Sequence, residues 1–275
     1  LGPDCLPPHP TNGYRSDLPL QGFTHTHVSG TGGEGRFGNL RVIPYLGAPD
    51  DIPEGFERSE EVAAVGFYGV CLSPGNIRVE LTSTPRCGIC RFYFPEGSEA
   101  NILIDAGAVH QFHPQRTAIC TNAEICWAND TQFEGHGTFR GGWAHNHPYK
   151  IFFSGSFNTT PDRILVGDAD ALLEHDHAVG EKAMTVAHFR RSQSVEVRIG
   201  VSFVSIPKAR DNHDKECQPF SFEELTDRHR ADWQSWFDRI QVEGGTEEQR
   251  QIFQTFMFCF LLNALLLGNF FCQIP

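Results

Sequence analysis

Hydrophobic and polar residues alternate over many short stretches of the chain, with glycine- and proline-containing turns between them. The clearest stretch is 195–203, in which every second residue is valine, isoleucine or phenylalanine. A period of two residues is typical of a half-buried β-strand. The same kind of pattern predicts strands at residues 66–72, 77–82, 87–94, 101–105, 117–126, 132–140, 149–157, 163–167 and 183–191.

About ten strands at spacings of roughly 8–15 residues, with no clear helical period between them, predict a β-sandwich or a barrel. Residues 1–36 are dense in proline and glycine and are predicted to form loops. We find no internal repeat. We therefore expect a mainly β domain over residues 1–205.

The pattern changes after Ser205. Residues 221–224 read Ser-Phe-Glu-Glu, a capping box that predicts the start of a helix. Apolar residues then recur at helical spacing as far as Ile240. This helix is therefore expected to pack a stripe of aromatic side chains against the sandwich or against a second domain. A second helix is predicted to begin near Thr246. We assign residues 206–245 to a helical linker.

The last part of the chain is unusually apolar, over residues 253–272. About twenty apolar residues can span a bilayer, but Gln254, Asn263 and Asn269 interrupt this run and no basic flank follows it. We therefore favour a buried helix separated from its partners, or sequence from a misread gene end, over a membrane anchor. Residues 246–275 are expected to be the truncated start of a helical domain or an aberrant apolar tail.

Charge narrows the range of partners. The formal net charge is −12 at pH 7, and binding to phosphates needs a concentrated basic patch. The only basic cluster is Arg190 and Arg191, so nucleic acid and anionic membranes are excluded as expected partners. A neutral sugar is compatible with this charge.

The chain contains nine cysteines. Cys87 and Cys90 form a C-x-x-C inside a predicted strand, where they should lie on opposite faces, and no second C-x-x-C completes a zinc site. We expect structural or free thiols. Asn129 and Asn158 begin glycosylation sequons, which allow secretion. The opening residues are too polar and proline-rich to be a signal peptide.

The segment 22–33 is the strongest candidate for a site. It reads GFTHTHVSGTGG and contains two histidines, four hydroxyl residues and four glycines. Glycines let the backbone turn or approach a ligand closely, and histidine, serine and threonine supply donors and acceptors at fixed points. Such a segment is costly to order, so it is expected to be a loop tip or part of a site.

A metal site is one alternative for this segment. His25 and His27 would share one face of an extended strand, and a third ligand would suggest a cupin-like His-metal oxygenase. The other alternative is that both histidines are hydrogen-bonding loop residues, which is the interpretation we favour. The candidate third ligands are His110, His113, His136, His145 and His147.

Carboxylates and tryptophans give weaker signals. Hydrolysis of a glycosidic bond needs two carboxylates on either side of it, and nothing in the sequence pairs Asp105, Asp168 or Asp170, so structural roles are expected for all three. Glu174–His177 is polar and is predicted to be a solvated turn. Trp143 would suit a sugar platform, although a core position is favoured.

Several segments together resemble the glycoside hydrolase family 92 α-mannosidases. GFTHTHVSGTGG resembles that family's GFSHTHLSGTG motif, and the similarity continues in order from Leu1 to about Phe253. The other similar segments are FGNLRVIP, VELTSTPRCGICRFYFPEGSEANILID, GGWAHNHPYKIFFSGSF, VEVRIGVSFVSIPKAR and WFDRIQVEGGTEEQRQIF.

The resemblance implies a fold and a function. The fold is a galactose-mutarotase-like β-supersandwich that packs on a catalytic (α/α)6 barrel, followed here by linker helices and a helical stub. The activity is inverting, calcium-dependent hydrolysis of α-mannosides, including those of N-glycans, in the secretory pathway or outside the cell. The acid, the base and most calcium contacts belong to the barrel, so no catalytic or calcium residue is assigned here.

The resemblance implies that this chain supplies one wall of the sugar pocket.

Two departures from the family pattern lead us to expect a truncated or mis-spliced product that is inactive alone. Strands should precede Leu1, and an apolar run replaces the barrel's first helix after Phe253. A non-catalytic carbohydrate-binding sandwich is the alternative function. The expected substrate-binding residues are His25, His27, Ser29, Gly30, Thr31 and Gly32.

Overall fold

The structure is a computed structural model that describes residues 1–5, 14–26, 38–109, 118–141, 147–168 and 170–272, without the side chains of Cys259 and residues 262–272. In this part of the chain the strands are β1 (Gly2–Cys5), β2 (Leu20–Thr24), β3 (Arg41–Leu46), β4 (Glu57–Ala64), β5 (Phe67–Ser73), β6 (Ile77–Ser83), β7 (Cys87–Tyr93), β8 (Ala100–Asp105), β9 (Ile119–Trp127), β10 (Gln132–Arg140), β11 (Tyr149–Phe157), β12 (Arg163–Gly167), β13 (Leu172–Leu173), β14 (His177–Gly180), β15 (Met184–Phe189) and β16 (Ser194–Ser202). The helices are α1 (Ile206–Glu216), α2 (Phe222–Phe237) and α3 (Glu247–Cys272).

The strands form two antiparallel sheets. One has seven strands in the order β1-β2-β3-β8-β15-β12-β13, and the other has nine in the order β14-β9-β10-β11-β16-β7-β6-β5-β4. Neighbours in each sheet include strands far apart in sequence, such as β3 with β8 and β16 with β7. The mainly β sandwich predicted from the alternating pattern is therefore confirmed.

The main hydrophobic core lies between the two sheets. The Trp127 indole stacks on the Phe157 ring at a centroid distance of 5.7 Å, and Phe157 in turn contacts Phe189 of the opposite sheet at 5.7 Å. The Trp127 indole nitrogen donates a 2.9 Å hydrogen bond to the Thr185 hydroxyl, again across the sandwich. Because a buried indole N–H needs a partner, this bond fixes the relative position of the sheets as well as their separation.

The helices α1 and α2 cover the outer face of the nine-stranded sheet. The Ser205 hydroxyl caps α1 by accepting from the Lys208 amide. The predicted capping box of α2 is confirmed, with Ser221 and Glu224 each accepting a bond from the other's backbone amide. Phe222, Leu225 and Trp233 are buried as the aromatic stripe predicts, but Ile240 lies beyond the end of α2 and is half exposed.

Three predictions about strands were wrong. β1 and β2 lie inside the region predicted to be loops. They pair with each other at one edge of their sheet, with Gly2 opposite Thr24 and Cys5 opposite Leu20. β4 was missed, and β14 begins at His177, which had been placed in a solvated turn. β4 is an edge strand with mostly exposed residues, and β14 is an edge strand of four residues that buries only Ala178. A strand that is mostly exposed, or that is only four residues long, shows too little alternation to detect.

The cysteines lie as predicted. Cys87 faces a small cluster beneath the helices, whereas Cys90 belongs to the main core between the sheets. No helix among the described residues is long and apolar enough to cross a membrane. The boundaries proposed at residues 205 and 245 stay a prediction.

Candidate functional site

One end of the sandwich gathers the residues that flank the segments 27–37, 110–117 and 142–146. The Asn39 side-chain amide makes two hydrogen bonds. Its Nδ2 donates to the Ala108 carbonyl at 3.0 Å, and its Oδ1 accepts from the Tyr149 hydroxyl at 3.1 Å. Asn39 is only 1 % exposed. We call His25, Thr26, Asn39, Ala108 and Tyr149 the stem cluster, because these residues join the ends of the three segments.

His25 is held in a fixed orientation just after β2. Its backbone amide donates to the carbonyls of Asn39 and Leu40 at 3.1 and 3.2 Å, and its Nδ1 lies 3.1 Å from the Leu40 carbonyl. Its Nε2 packs against the backbone of Gly88, where a side chain would leave no room. Burial lowers the pKa of His25 to about 3. This imidazole is therefore neutral at any physiological pH.

Tyr149 ties the two sheets together at this end. It begins β11 of the nine-stranded sheet, and its ring packs on Phe139 at a centroid distance of 5.6 Å. Burial raises the pKa of the Tyr149 hydroxyl, so the group stays protonated and donates to Asn39. The backbone also approaches closely here, because a side chain at Gly137 would overlap the Ala106 carbonyl.

Asp105 has the structural role predicted for it. Its carboxylate accepts from the Arg41 guanidinium at 2.9 Å and from the Gly107 amide at 3.0 Å. Arg41 and Asp105 are also register partners on β3 and β8. Gly107 has no room for a side chain, since an added Cβ would lie 2.3 Å from the Glu181 carbonyl oxygen. The carboxylate therefore orders the chain that leads toward Ala108.

Only part of the predicted site falls within the described residues. His25 is buried at the stem rather than presented on a surface. His27, Ser29, Gly30, Thr31 and Gly32 lie outside the described residues, as do His110, His113, Trp143 and His145.

The described histidines do not converge on a metal. His136 and His177 both approach Glu124, with closest distances of 3.6 and 3.0 Å, on the outer face of the nine-stranded sheet, while His25 lies at the stem cluster. Within the described ranges, no three histidine, cysteine, aspartate or glutamate side chains are placed to hold a metal ion. Nothing in this part of the chain supports the cupin-like arrangement.

Two groups of residues were missed by the sequence reasoning. Asn39 and Tyr149 lie in segments that carried the family resemblance, FGNLRVIP and GGWAHNHPYKIFFSGSF, and that is the signal that could have found them. The second group has the connectivity of a catalytic triad. His213 Nε2 lies 2.9 Å from the Ser156 hydroxyl, and His213 Nδ1 lies 2.9 Å from Asp214. His213 is a buried residue of α1 that is 1 % exposed, and Ser156 is buried beneath it, so this hydroxyl is closed to a substrate.

A cleft of about 230 Å³ lies between α2 and α3. It shares no lining residue with the stem cluster. Several apolar side chains near it are exposed, of which Phe256 is 71 % and Phe260 is 69 % exposed. Exposed aromatic residues on one helix are typical of a surface that packs against further protein.

Comparison with protein families gives two consecutive matches. Residues 1–202 match the glycosyl hydrolase family 92 N-terminal domain, and residues 208–267 match the glycosyl hydrolase family 92 catalytic domain. A curated relative, an uncharacterised secreted glycosidase from Arthroderma benhamiae, is 28% identical over 259 residues, which are 82% of this chain and 32% of the relative.

Solved structures share the fold. A family GH92 α-mannosidase from Bacteroides thetaiotaomicron superimposes with a TM-score of 0.75 at 24% identity, over 88% of this chain and 35% of that chain. The GH92 glycosyl hydrolase ccman5 superimposes with a TM-score of 0.78 at 24% identity, over 93% of this chain and 36% of that chain. The chain thus spans about a third of the length of the relatives it matches.

Proposed function

Because the chain belongs to glycoside hydrolase family 92, we propose that it forms the N-terminal part of an α-mannosidase. The observation that carries this proposal is the order of the two family matches, with the β domain first and the catalytic domain beginning at residue 208. The proposed substrates are α-mannosides, including those of N-glycans. One structural relative is a GH92 α-mannosidase in complex with mannoimidazole, which supports this class of substrate.

In this proposal the sandwich supplies one wall of the sugar pocket, at the end where the stem cluster lies. His25, Asn39 and Tyr149 are buried and tightly bonded there, so they would hold the neighbouring segments in place rather than contact the sugar. The contacts would come from His27, Ser29, Gly30, Thr31 and Gly32.

Catalysis would come from the helical domain that α1, α2 and α3 begin. The family's inverting mechanism needs a general acid and a general base on opposite sides of the scissile bond. Asp105 is committed to Arg41 and Gly107, so it supplies neither group. The exposed aromatic face of α3 is where we expect the rest of this domain to pack.

Calcium is expected for the complete enzyme. Calcium takes six to eight oxygen ligands, mainly carboxylates and carbonyls. The described residues do not fit such a site, since no three metal-ligating side chains converge among them. As the family resemblance implies, the ion would be held mainly by the helical domain, and we assign it no ligand here.

We expect the protein to reach the secretory pathway. A secreted glycosidase is among its relatives. Asn129 of the first sequon lies in the exposed turn between β9 and β10, where a glycan can be attached without disturbing the sandwich.

The test is an assay of 4-nitrophenyl α-mannoside and of α-mannobiose in the presence of calcium. The 275-residue chain alone is expected to release no mannose, and the chain fused or mixed with a family 92 helical domain is expected to release it. Activity of the chain alone would contradict the proposed division of labour. A complemented sample that binds mannose but does not hydrolyse mannosides would favour the alternative, a non-catalytic carbohydrate-binding sandwich.

A further inference from the structure

Two buried cysteines meet where the sheet joins the helices. Cys87 is the first residue of β7, and Cys217 follows the last residue of α1. Their exposed fractions are 4 % and 0 %. They belong to one small apolar cluster with Ile89, Phe222 and Leu225, separate from the main core between the sheets.

The two sulfur atoms lie against adjacent backbone carbonyls of α1. The Cys87 thiol lies 3.3 Å from the Asn212 carbonyl oxygen, and the Cys217 thiol lies 3.3 Å from the carbonyl oxygen of the next residue, His213. The two thiols also contact each other, and this contact together with burial raises the pKa of Cys87. Both are unbridged in the structure.

We infer that Cys87 and Cys217 form a disulfide bond in the mature protein, which covalently links the sandwich to the first helix of the catalytic domain. The oxidant is a low-molecular-weight disulfide such as oxidised glutathione. One cysteine thiolate attacks it and releases one glutathione thiolate, and the second cysteine then displaces the other glutathione from the mixed disulfide. Two protein thiols are oxidised and one glutathione disulfide is reduced to two thiols.

The timing of this reaction follows from burial. Only the thiolate attacks a disulfide, and in the folded protein Cys87 is held in its protonated form with no access to solvent. Oxidation must therefore occur before α1 docks on the sheet. In the cell this requires the oxidising compartment proposed above, but it does not depend on mannoside hydrolysis.

The disulfide bond would hold together the two regions of the chain that match the two family 92 domains. Residues 1–202 and 208–267 are connected by five residues, and α1 packs directly on β16 and β11. A second covalent connection at Cys217 would hold α1 on the sheet when the rest of the helical domain moves. The closed loop contains about 130 residues, and long loops gain the most from a cross-link in the chain-entropy account.

The test is to refold the reduced 275-residue chain in a glutathione redox buffer, alkylate it and digest it without reduction. We expect mass spectrometry to find one linked pair of peptides that contains Cys87 and Cys217, with a mass two hydrogens below the sum of the separate peptides. If both cysteines are instead alkylated in the folded, oxidised chain, or are linked to other cysteines, the inference is wrong.

A matched pair of variants adds a second measurement. Cys87→Ser and Cys90→Ser each change one buried cysteine of β7, on opposite faces. Reduction is expected to lower the melting temperature of the wild type and of Cys90→Ser by about 10 °C, and to leave Cys87→Ser unchanged. Equal effects of reduction on both variants would overturn the assignment. If either variant fails to fold, the peptide map of the wild type still decides.

Discussion

The stem cluster makes a quantitative prediction about Asn39. Its side chain makes two hydrogen bonds, one that donates to the Ala108 carbonyl and one that accepts from the Tyr149 hydroxyl. Asn39→Ala removes both, whereas Tyr149→Phe removes only the second. A buried hydrogen bond contributes about 1 kcal/mol net, so the expected losses in the free energy of unfolding are about 2 kcal/mol for Asn39→Ala and about 1 kcal/mol for Tyr149→Phe.

The assay is urea unfolding of the 275-residue chain at pH 7, followed by fluorescence. Asn122→Ala is the matched control, because Asn122 is exposed on β9 and such a change should cost less than about 0.5 kcal/mol. In the double variant Asn39→Ala/Tyr149→Phe the losses should fall short of additivity by about 1 kcal/mol. Full additivity, or an Asn39→Ala loss equal to that of the control, would refute the claim that these residues act as one bonded unit.

Three further predictions concern charge and packing. Because the pKa of His25 is about 3 in the folded state and about 6.5 in the unfolded state, the wild type should lose about 2 kcal/mol relative to His25→Gln between pH 7 and pH 5. Urea unfolding measures this loss, and parallel pH profiles of the two proteins would contradict it. Hydrogen bonding to Arg91 lowers the pKa of Glu223 from its ordinary value of 4.5, so the small stability difference between wild type and Glu223→Gln, measured by urea unfolding, should be present at pH 7 and be lost as the pH falls below 4.5 and through the lowered pKa of the folded state. Gly107→Ala should lower the free energy of unfolding by about 1–3 kcal/mol, because the new Cβ would overlap the Glu181 carbonyl oxygen. An unchanged melting temperature would contradict this prediction.

The interior strands could be predicted from the sequence because each has one face against the core. In β16, Val195, Val197 and Ile199 are fully buried, and the alternating pattern marks that face. The capping box at Ser221 was predicted for a similar reason, since its interactions are local in sequence. The edge strand β4 is mostly exposed and the edge strand β14 is only four residues long, so this pattern is too weak in them, and their pairing with β5 and β9 reveals them.

The stem cluster could not be predicted because its contacts are not local. Asn39 and Tyr149 are separated by 110 positions, and no periodicity relates two residues at that distance. The GFTHTHVSGTGG motif predicted a site just after β2, but it gave His25 the same role as His27. Only the fold shows that His25 faces Gly88 and the carbonyl of Leu40.

The ionisation of His25 and Tyr149 and the ion pair of Asp105 bear on the division of labour proposed above. A general acid or base is most effective when its pKa lies near the working pH. His25 has a pKa of about 3, the pKa of Tyr149 is raised well above neutrality, and the Asp105 carboxylate is bonded to Arg41. Neither His25 nor Tyr149 exchanges a proton readily at neutral pH, whereas all three groups make fixed hydrogen bonds that order the neighbouring chain. In the proposed function, the described residues at this end of the sandwich would therefore help to position a sugar, and the proton transfers of hydrolysis would come from other residues of the complete enzyme.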